Sequence, residues 1–142
     1  MNTPTRLSLI AAAVLFLALP TAGAADPAKS EATVHPLLTY ALPELPGKEV
    51  VMLTVEYLPG GASLPHRHDA EVFVYVLEGS VVMQVDGQKA VTLGPGATFH
   101  EKPSDIHRQS RNASTTQPAK FLVFILKDKD KPATHPVAET AK

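Results

Sequence analysis

The chain contains no cysteine. Disulfides and a lipidated N-terminal cysteine are therefore excluded, and the folded part has to be held by its core alone. An excess of positive charge is missing too, since 13 Lys and Arg stand against 14 Asp and Glu in 142 residues. That balance argues against nucleic acid or an anionic membrane surface as the partner. No apolar run reaches the roughly 20 residues that cross a bilayer as a helix. No stretch carries a helical period, no internal repeat or low-complexity block is visible, and no separate nucleophile, general base or phosphate-binding loop can be pointed to.

The N-terminus has the pattern of an export leader. Arg6 precedes an apolar run from Leu7 to Leu19, and Pro20-Thr21-Ala22-Gly23-Ala24-Ala25 supplies small residues for a peptidase. Residues 1–24 are expected to be a signal peptide that is removed, with a retained membrane anchor as the alternative. Cleavage after Ala24 leaves 118 residues with 12 basic and 14 acidic side chains. The expected location is periplasmic or secreted. A chain of that length is one domain, and it buries something over ~60% of its unfolded surface.

Residues 25–36 and 129–142 are small, polar and proline-bearing, and both are expected to be flexible flanks. Between them, at 37–128, short runs rich in valine, phenylalanine and tyrosine are closed by glycine or proline. That spacing predicts an all-β sandwich or barrel. Strands are expected at Glu49–Leu58, Val72–Glu78, Val81–Asp86, Lys89–Leu93, Ala97–Glu101, Ile106–Ser110 and Lys120–Lys127, with a weaker edge strand near Leu37–Leu42. Asp86-Gly87 is the strongest hairpin signal.

The chemistry gathers in Pro65-His66-Arg67-His68. Two histidines two residues apart on an extended strand project from one face, about 6–7 Å apart along the chain. They can chelate one ion at ~2.1 Å if a third ligand arrives from a neighbouring strand, and His107 is the candidate.

At this point the sequence resembles the cupin superfamily, as a small single-domain member. Gly60, His66-x-His68, Glu71 and Val76-Leu77-Glu78-Gly79 look like its first motif. Gly94-Pro95-Gly96, Pro103, His107 and Asn112 look like its second. The resemblance runs from about Glu49 to Lys127. It implies a β-jelly-roll barrel of two antiparallel sheets, with a metal held by His66, His68, His107 and a carboxylate or amide.

The carboxylate is where the chain departs from the family pattern. Glu71 follows the second histidine after only Asp69 and Ala70, where the family usually has three or four intervening residues. Strict alternation sends His68, Val72 and Val74 to one face and Glu71 and Phe73 to the other, so Glu71 reaches a metal only through a bulge. Glu101 occupies a place where the family commonly turns an apolar residue inward, and a lone buried carboxylate needs a cation. Both are carried as metal candidates, with Glu101 expected nearer the histidines.

His35 and His135, beside prolines in the flanks, are expected to be solvated, and His100 is expected to face away from Glu101. Asn112-Ala113-Ser114 spells a glycosylation sequon, but Asn112 is taken as a turn former. The run Lys127-Asp128-Lys129-Asp130-Lys131 is taken as a solubilising end to the last strand.

Three readings stay open. One is a metal-dependent enzyme, dioxygenase-like or isomerase-like, using one divalent ion of Fe, Mn, Ni, Cu or Zn with coordination positions open to a small-molecule substrate. Another is a non-catalytic protein that binds a metal or small ligand. The third is a structural, oligomer-forming barrel, for which the edge at Leu37–Leu42 suggests a homodimer.

Overall fold

Strand alternation organises the molecule. In Ala70–Glu78, Val72, Val74 and Val76 are buried while Phe73 and Tyr75 are exposed. In Ala119–Asp128, Ala119, Phe121, Val123 and Ile125 are buried, with half-buried residues between them. Each buried Val, Ile or Phe contributes about 1.5–3 kcal/mol relative to exposure, so the inward rows define the fold.

The computed structural model describes residues 32–137. The expected leader and most of the N-terminal flank lie outside the described residues. The strands are β1 (Thr33–Ala41), β2 (Lys48–Tyr57), β3 (Ala62–Ser63), β4 (His66–Arg67), β5 (Ala70–Glu78), β6 (Val81–Val85), β7 (Val91–Leu93), β8 (Thr98–Glu101), β9 (Ile106–Asn112), β10 (Ala119–Asp128) and β11 (His135–Pro136). They form a five-stranded sheet in the order β1-β2-β10-β5-β8 and a six-stranded sheet in the order β11-β4-β9-β6-β7, with β3 also paired to β9. All pairings are antiparallel. The all-β, two-sheet barrel expected from the sequence is the observed architecture, and its core is the row of Val72, Val74, Val76, Met83, Phe121 and Ile125 between the sheets.

Gly79 shows how tightly the β5–β6 turn is drawn in. Its φ is +67°, and a Cβ there would lie 2.3 Å from the carbonyl oxygen of Pro118. Only glycine fits. Asn112 does more than form a turn. Buried at the end of β9, it donates from Nδ2 to the carbonyls of Leu58 (3.0 Å) and Gln117 (2.8 Å) and accepts from the Ser114 amide at 2.9 Å.

Several expectations about the ends need correction. The first strand begins at Thr33, inside the expected flexible flank; His35 on it is exposed, as expected, with Nε2 3.8 Å from Glu56. The other flank folds as well: β11 adds to β4 in the register His135↔Arg67 and Pro136↔His66. His135 is half-buried with Nε2 3.2 Å from Asp69, so it is not a solvated tail residue. Lys127 is not on the surface either. It is buried, paired with Glu49, and donates to the carbonyl of Lys131 at 2.6 Å. The flanks fold back because backbone partners are available, on β2 for the first strand and on the edge of β4 for the last, which composition cannot reveal.

Candidate metal centre

His66 lies on β4 and His107 on β9, directly opposite one another in the antiparallel register. Opposed residues of such a pair have Cβ atoms about 4.5–5.5 Å apart, so the two imidazoles necessarily meet. The ring centroid of His66 is 5.0 Å from that of His107 and 5.0 Å from that of His68. One ligand nitrogen from each of His66, His68 and His107 lies within 4.8 Å of the others.

The fourth group comes from the opposite sheet. Glu101 pairs with Val72 at the β5–β8 edge, and its side chain points inward with only 2% exposure. Oε1 is 3.1 Å from His107 Nδ1, and Oε2 is 3.9 Å from His68 Nε2.

The outer atoms of two rings are already engaged. His66 Nδ1 lies 2.7 Å from the carbonyl of Leu64, and His68 Nδ1 lies 2.5 Å from the carbonyl of Ala133. Donation to a carbonyl fixes the tautomer with Nε2 unprotonated and free to ligate. Burial holds the His66 imidazole below its ordinary value, countered by its bond to Leu64 and reinforced by the neighbouring His107 and His68. A neutral ring is the form a metal binds.

Inside the cluster, partners run out. Both ring nitrogens of His107 and Oε2 of Glu101 are buried without a hydrogen bond, the 3.1 Å contact between the two residues being poorly aligned. Orphaned polar atoms of this kind are costly, and a shared cation is what three imidazoles and a carboxylate would satisfy. The donor set fits Fe(II), Mn(II), Ni(II), Cu(II) or Zn(II). His66, His68 and His107 are the residues that would hold it, with the Glu101 carboxylate beside His107 and His68.

Glu71, the other carboxylate raised as a candidate, is corrected. It stands on the outer face with Oε2 2.6 Å from Nε2 of His100, and both side chains are exposed. No bulge forms at Asp69-Ala70, so the parity of β5 sends Glu71 away from the histidines. Ala133, whose carbonyl holds His68, carried no sequence signal, since any residue supplies a carbonyl.

The histidines open onto a cavity of about 520 Å³, within the range of small-molecule sites. Tyr57, Ser63 and Ser110 line it, and so do Thr134 and Pro136 of the C-terminal segment. Tyr57 Oη bonds Ser63 Oγ and Ser110 Oγ, each at 2.7 Å. Burial raises the Tyr57 phenol above its ordinary value, partly offset by those two bonds.

A double-sheet barrel with inward histidines from paired strands defines the class. Residues 53–125 match the Cupin domain family, and the chain belongs to it. Among curated proteins, none matches in sequence. Among solved structures, the polyketide cyclase RemF from Streptomyces resistomycificus is similar at TM-score 0.58 and 26% identity, over 78% of this chain and 73% of that one. Oxalate oxidase in complex with the substrate analogue glycolate gives TM-score 0.59 and 23% identity, over 76% of this chain and 56% of that one. The DMSP lyase DddQ from Ruegeria pomeroyi gives TM-score 0.57 and 22% identity, over 66% of this chain but only 45% of its own length. These likenesses establish the fold.

Proposed function

We propose that this cupin is a metal-dependent enzyme that acts on a small molecule in the barrel, by dioxygenase-like or isomerase-like chemistry. The observation that carries the reading is the buried His107, both of whose ring nitrogens lack a partner beside the unpartnered Oε2 of Glu101. Three histidines and one carboxylate leave one or two positions of a five- or six-coordinate ion for substrate or water. A divalent ion there supplies Lewis acidity, and a redox-active one supplies electron transfer. The chain's own contribution is to bring three imidazoles together and to orient two of them through the carbonyls of Leu64 and Ala133. The test is elemental analysis of protein from its native compartment, followed by titration of the ion-free protein with Fe(II), Mn(II), Ni(II), Cu(II) and Zn(II). Stoichiometric binding lost in His107→Ala supports the reading, and failure of all five ions to bind removes it. Binding without turnover of any substrate leaves a metal-binding or ligand-binding protein.

We also propose that the chain is exported with residues 1–24 removed, and that it forms a homodimer. Among the described residues no helix is long and apolar enough to cross a membrane. For the dimer, the support is the outer face of the five-stranded sheet. Leu38 and Tyr40 of β1 pair with Met52 and Val50 of β2, and Phe73 of β5 pairs with Phe124 of β10, all on the side away from the cavity. Leu38, Tyr40, Phe73 and Tyr75 are all about half exposed, at 47%, 52%, 47% and 45%. Four strands of nine or ten residues and one of four, spaced ~4.8 Å and rising ~3.3 Å per residue, make a face of roughly 600 Å², close to the ~800 Å² per partner of an ordinary interface. Charged groups, Glu56 with Lys120 and Glu71 with His100, sit around the apolar centre.

A further inference from the structure

Among the described residues no Lys or Arg lines the cavity, and Glu101 is the only carboxylate that does. Apart from the histidines its other polar side chains are hydroxyls: Tyr57, Ser63, Ser110 and Thr134. Leu53, Val55, Val74, Phe121, Val123 and Ile125 supply much of the remaining wall. We infer that this site takes a largely apolar small molecule with at most one negative charge and at least one hydrogen-bond-accepting oxygen, such as an aryl ketone, and rejects dicarboxylates and sugar phosphates. The inference rests on the small-molecule reading above and specifies its substrate class.

Charge is the first reason. A divalent ion held by three neutral imidazoles and Glu101 has a net charge of about +1, enough to balance one negative charge on a ligand. A second has no partner among the described residues lining the cavity, and the cationic side chains next to the histidines point elsewhere: Arg67 is bound to Asp69 and Arg108 to Asp86, outside the cavity. Burying an unpaired charge against valines and phenylalanine is strongly unfavourable.

Hydrogen-bond supply is the second reason. Tyr57, Ser63 and Ser110 own three hydroxyl protons, and their two mutual bonds use two of them. None of the three hydroxyls bonds any other side chain or carbonyl among the described residues. One proton is left to donate, and Tyr57 and Ser110 are buried with their side chains on the cavity wall. The raised phenol of Tyr57 keeps that proton in place at neutral pH. A ligand oxygen satisfies the donor, whereas a hydrocarbon of the same shape leaves it orphaned.

The test uses the full mature chain, ion-free and zinc-loaded, with zinc content measured directly. Binding of 4-methylacetophenone, its hydrocarbon isostere 4-isopropyltoluene, malonate and glucose 6-phosphate is followed by methyl NMR shifts of the cavity valines. The ketone is expected to bind at least tenfold more tightly than malonate and glucose 6-phosphate. The combined variant Tyr57→Phe/Ser63→Ala/Ser110→Ala, which removes every hydroxyl proton of the set, should weaken the ketone about two- to tenfold and leave 4-isopropyltoluene unchanged. The comparison of the four ligands on the unsubstituted protein keeps the test available if that variant does not fold. The inference is overturned if malonate or glucose 6-phosphate binds as tightly as the ketone, if the ketone does not bind, or if the hydroxyl-free variant binds the ketone as tightly as the unsubstituted protein. Ketone binding by a protein that takes up no zinc removes the metal reading alone. Zinc uptake without ketone binding removes this inference alone.

Discussion

Glu101 belongs to the five-stranded sheet and His107 to the six-stranded sheet, and their side chains meet inside the barrel with Oε1 3.1 Å from Nδ1. The carboxylate thus reaches from one wall to a histidine cluster built on the other. Glu101→Gln keeps the shape and removes the charge. We expect it to weaken zinc binding about ten- to hundredfold, as loss of a ligand or of its oriented partner does. Glu71→Gln, on the outer face, should leave zinc affinity unchanged. Competition with a chromophoric chelator measures both, and equal loss in the two variants would contradict the assignment.

Zinc should also stabilise the fold. At a free concentration of 100 times Kd the gain is about 2.7 kcal/mol, which in a domain of this size raises Tm by roughly 10–20 °C. Differential scanning calorimetry with and without zinc checks this. His107→Ala should abolish the gain, because one of three converging imidazoles is gone.

The C-terminal segment positions His68. Ending the chain at Pro132 removes the Ala133 carbonyl that lies 2.5 Å from His68 Nδ1, and with it Thr134 and Pro136 of the cavity wall. Lys131, whose carbonyl accepts from buried Lys127, is kept. The shortened chain should retain its far-UV circular dichroism spectrum while losing about tenfold or more in zinc affinity. Unaltered zinc affinity would show that the carbonyl has no part in setting the ring.

Gly79 and Gly87 both have positive φ, +67° and +75°, but only Gly79 is crowded. Gly87→Ala should cost about 1–2 kcal/mol from the left-handed backbone alone. Gly79→Ala adds a contact of 2.3 Å with the Pro118 carbonyl and should cost clearly more, at least ~3 kcal/mol. Urea denaturation of the two variants compares them, and equal losses would mean that the Pro118 loop gives way freely.

For the dimer, light scattering of the mature chain should give twice the monomer mass. Leu38→Lys combined with Phe73→Lys should return it to the monomer while leaving zinc binding intact, since both residues lie on the face opposite the cavity. A wild-type monomer at high micromolar concentration would dismiss this interface.

Much of the barrel was legible in the sequence because a half-buried strand writes its inward row at every second residue. Val72, Val74 and Val76, and Phe121, Val123 and Ile125, are such rows, and both lie inside as alternation requires. The same parity placed Glu71 outside, whereas Glu101 was expected near the histidines from its place in the family motif, and both stand as expected. His66 and His68 announced themselves by spacing. Residues that act through the backbone gave no such signal. The strands Ala62–Ser63 and His66–Arg67 are two residues each, too short for any period to show.

The sequence by itself determined the inward and outward rows of the long strands, the turn positions and the residue types able to bind a metal, because these follow from local geometry and side-chain chemistry. Tertiary structure alone decided which strands became neighbours: that His66 faces His107, that Glu101 crosses from the other sheet, and that Ala133 returns to hold His68. Those contacts join residues up to 65 positions apart. Their register is set by packing of two sheets and by backbone groups common to every residue, and neither leaves a pattern in the local sequence.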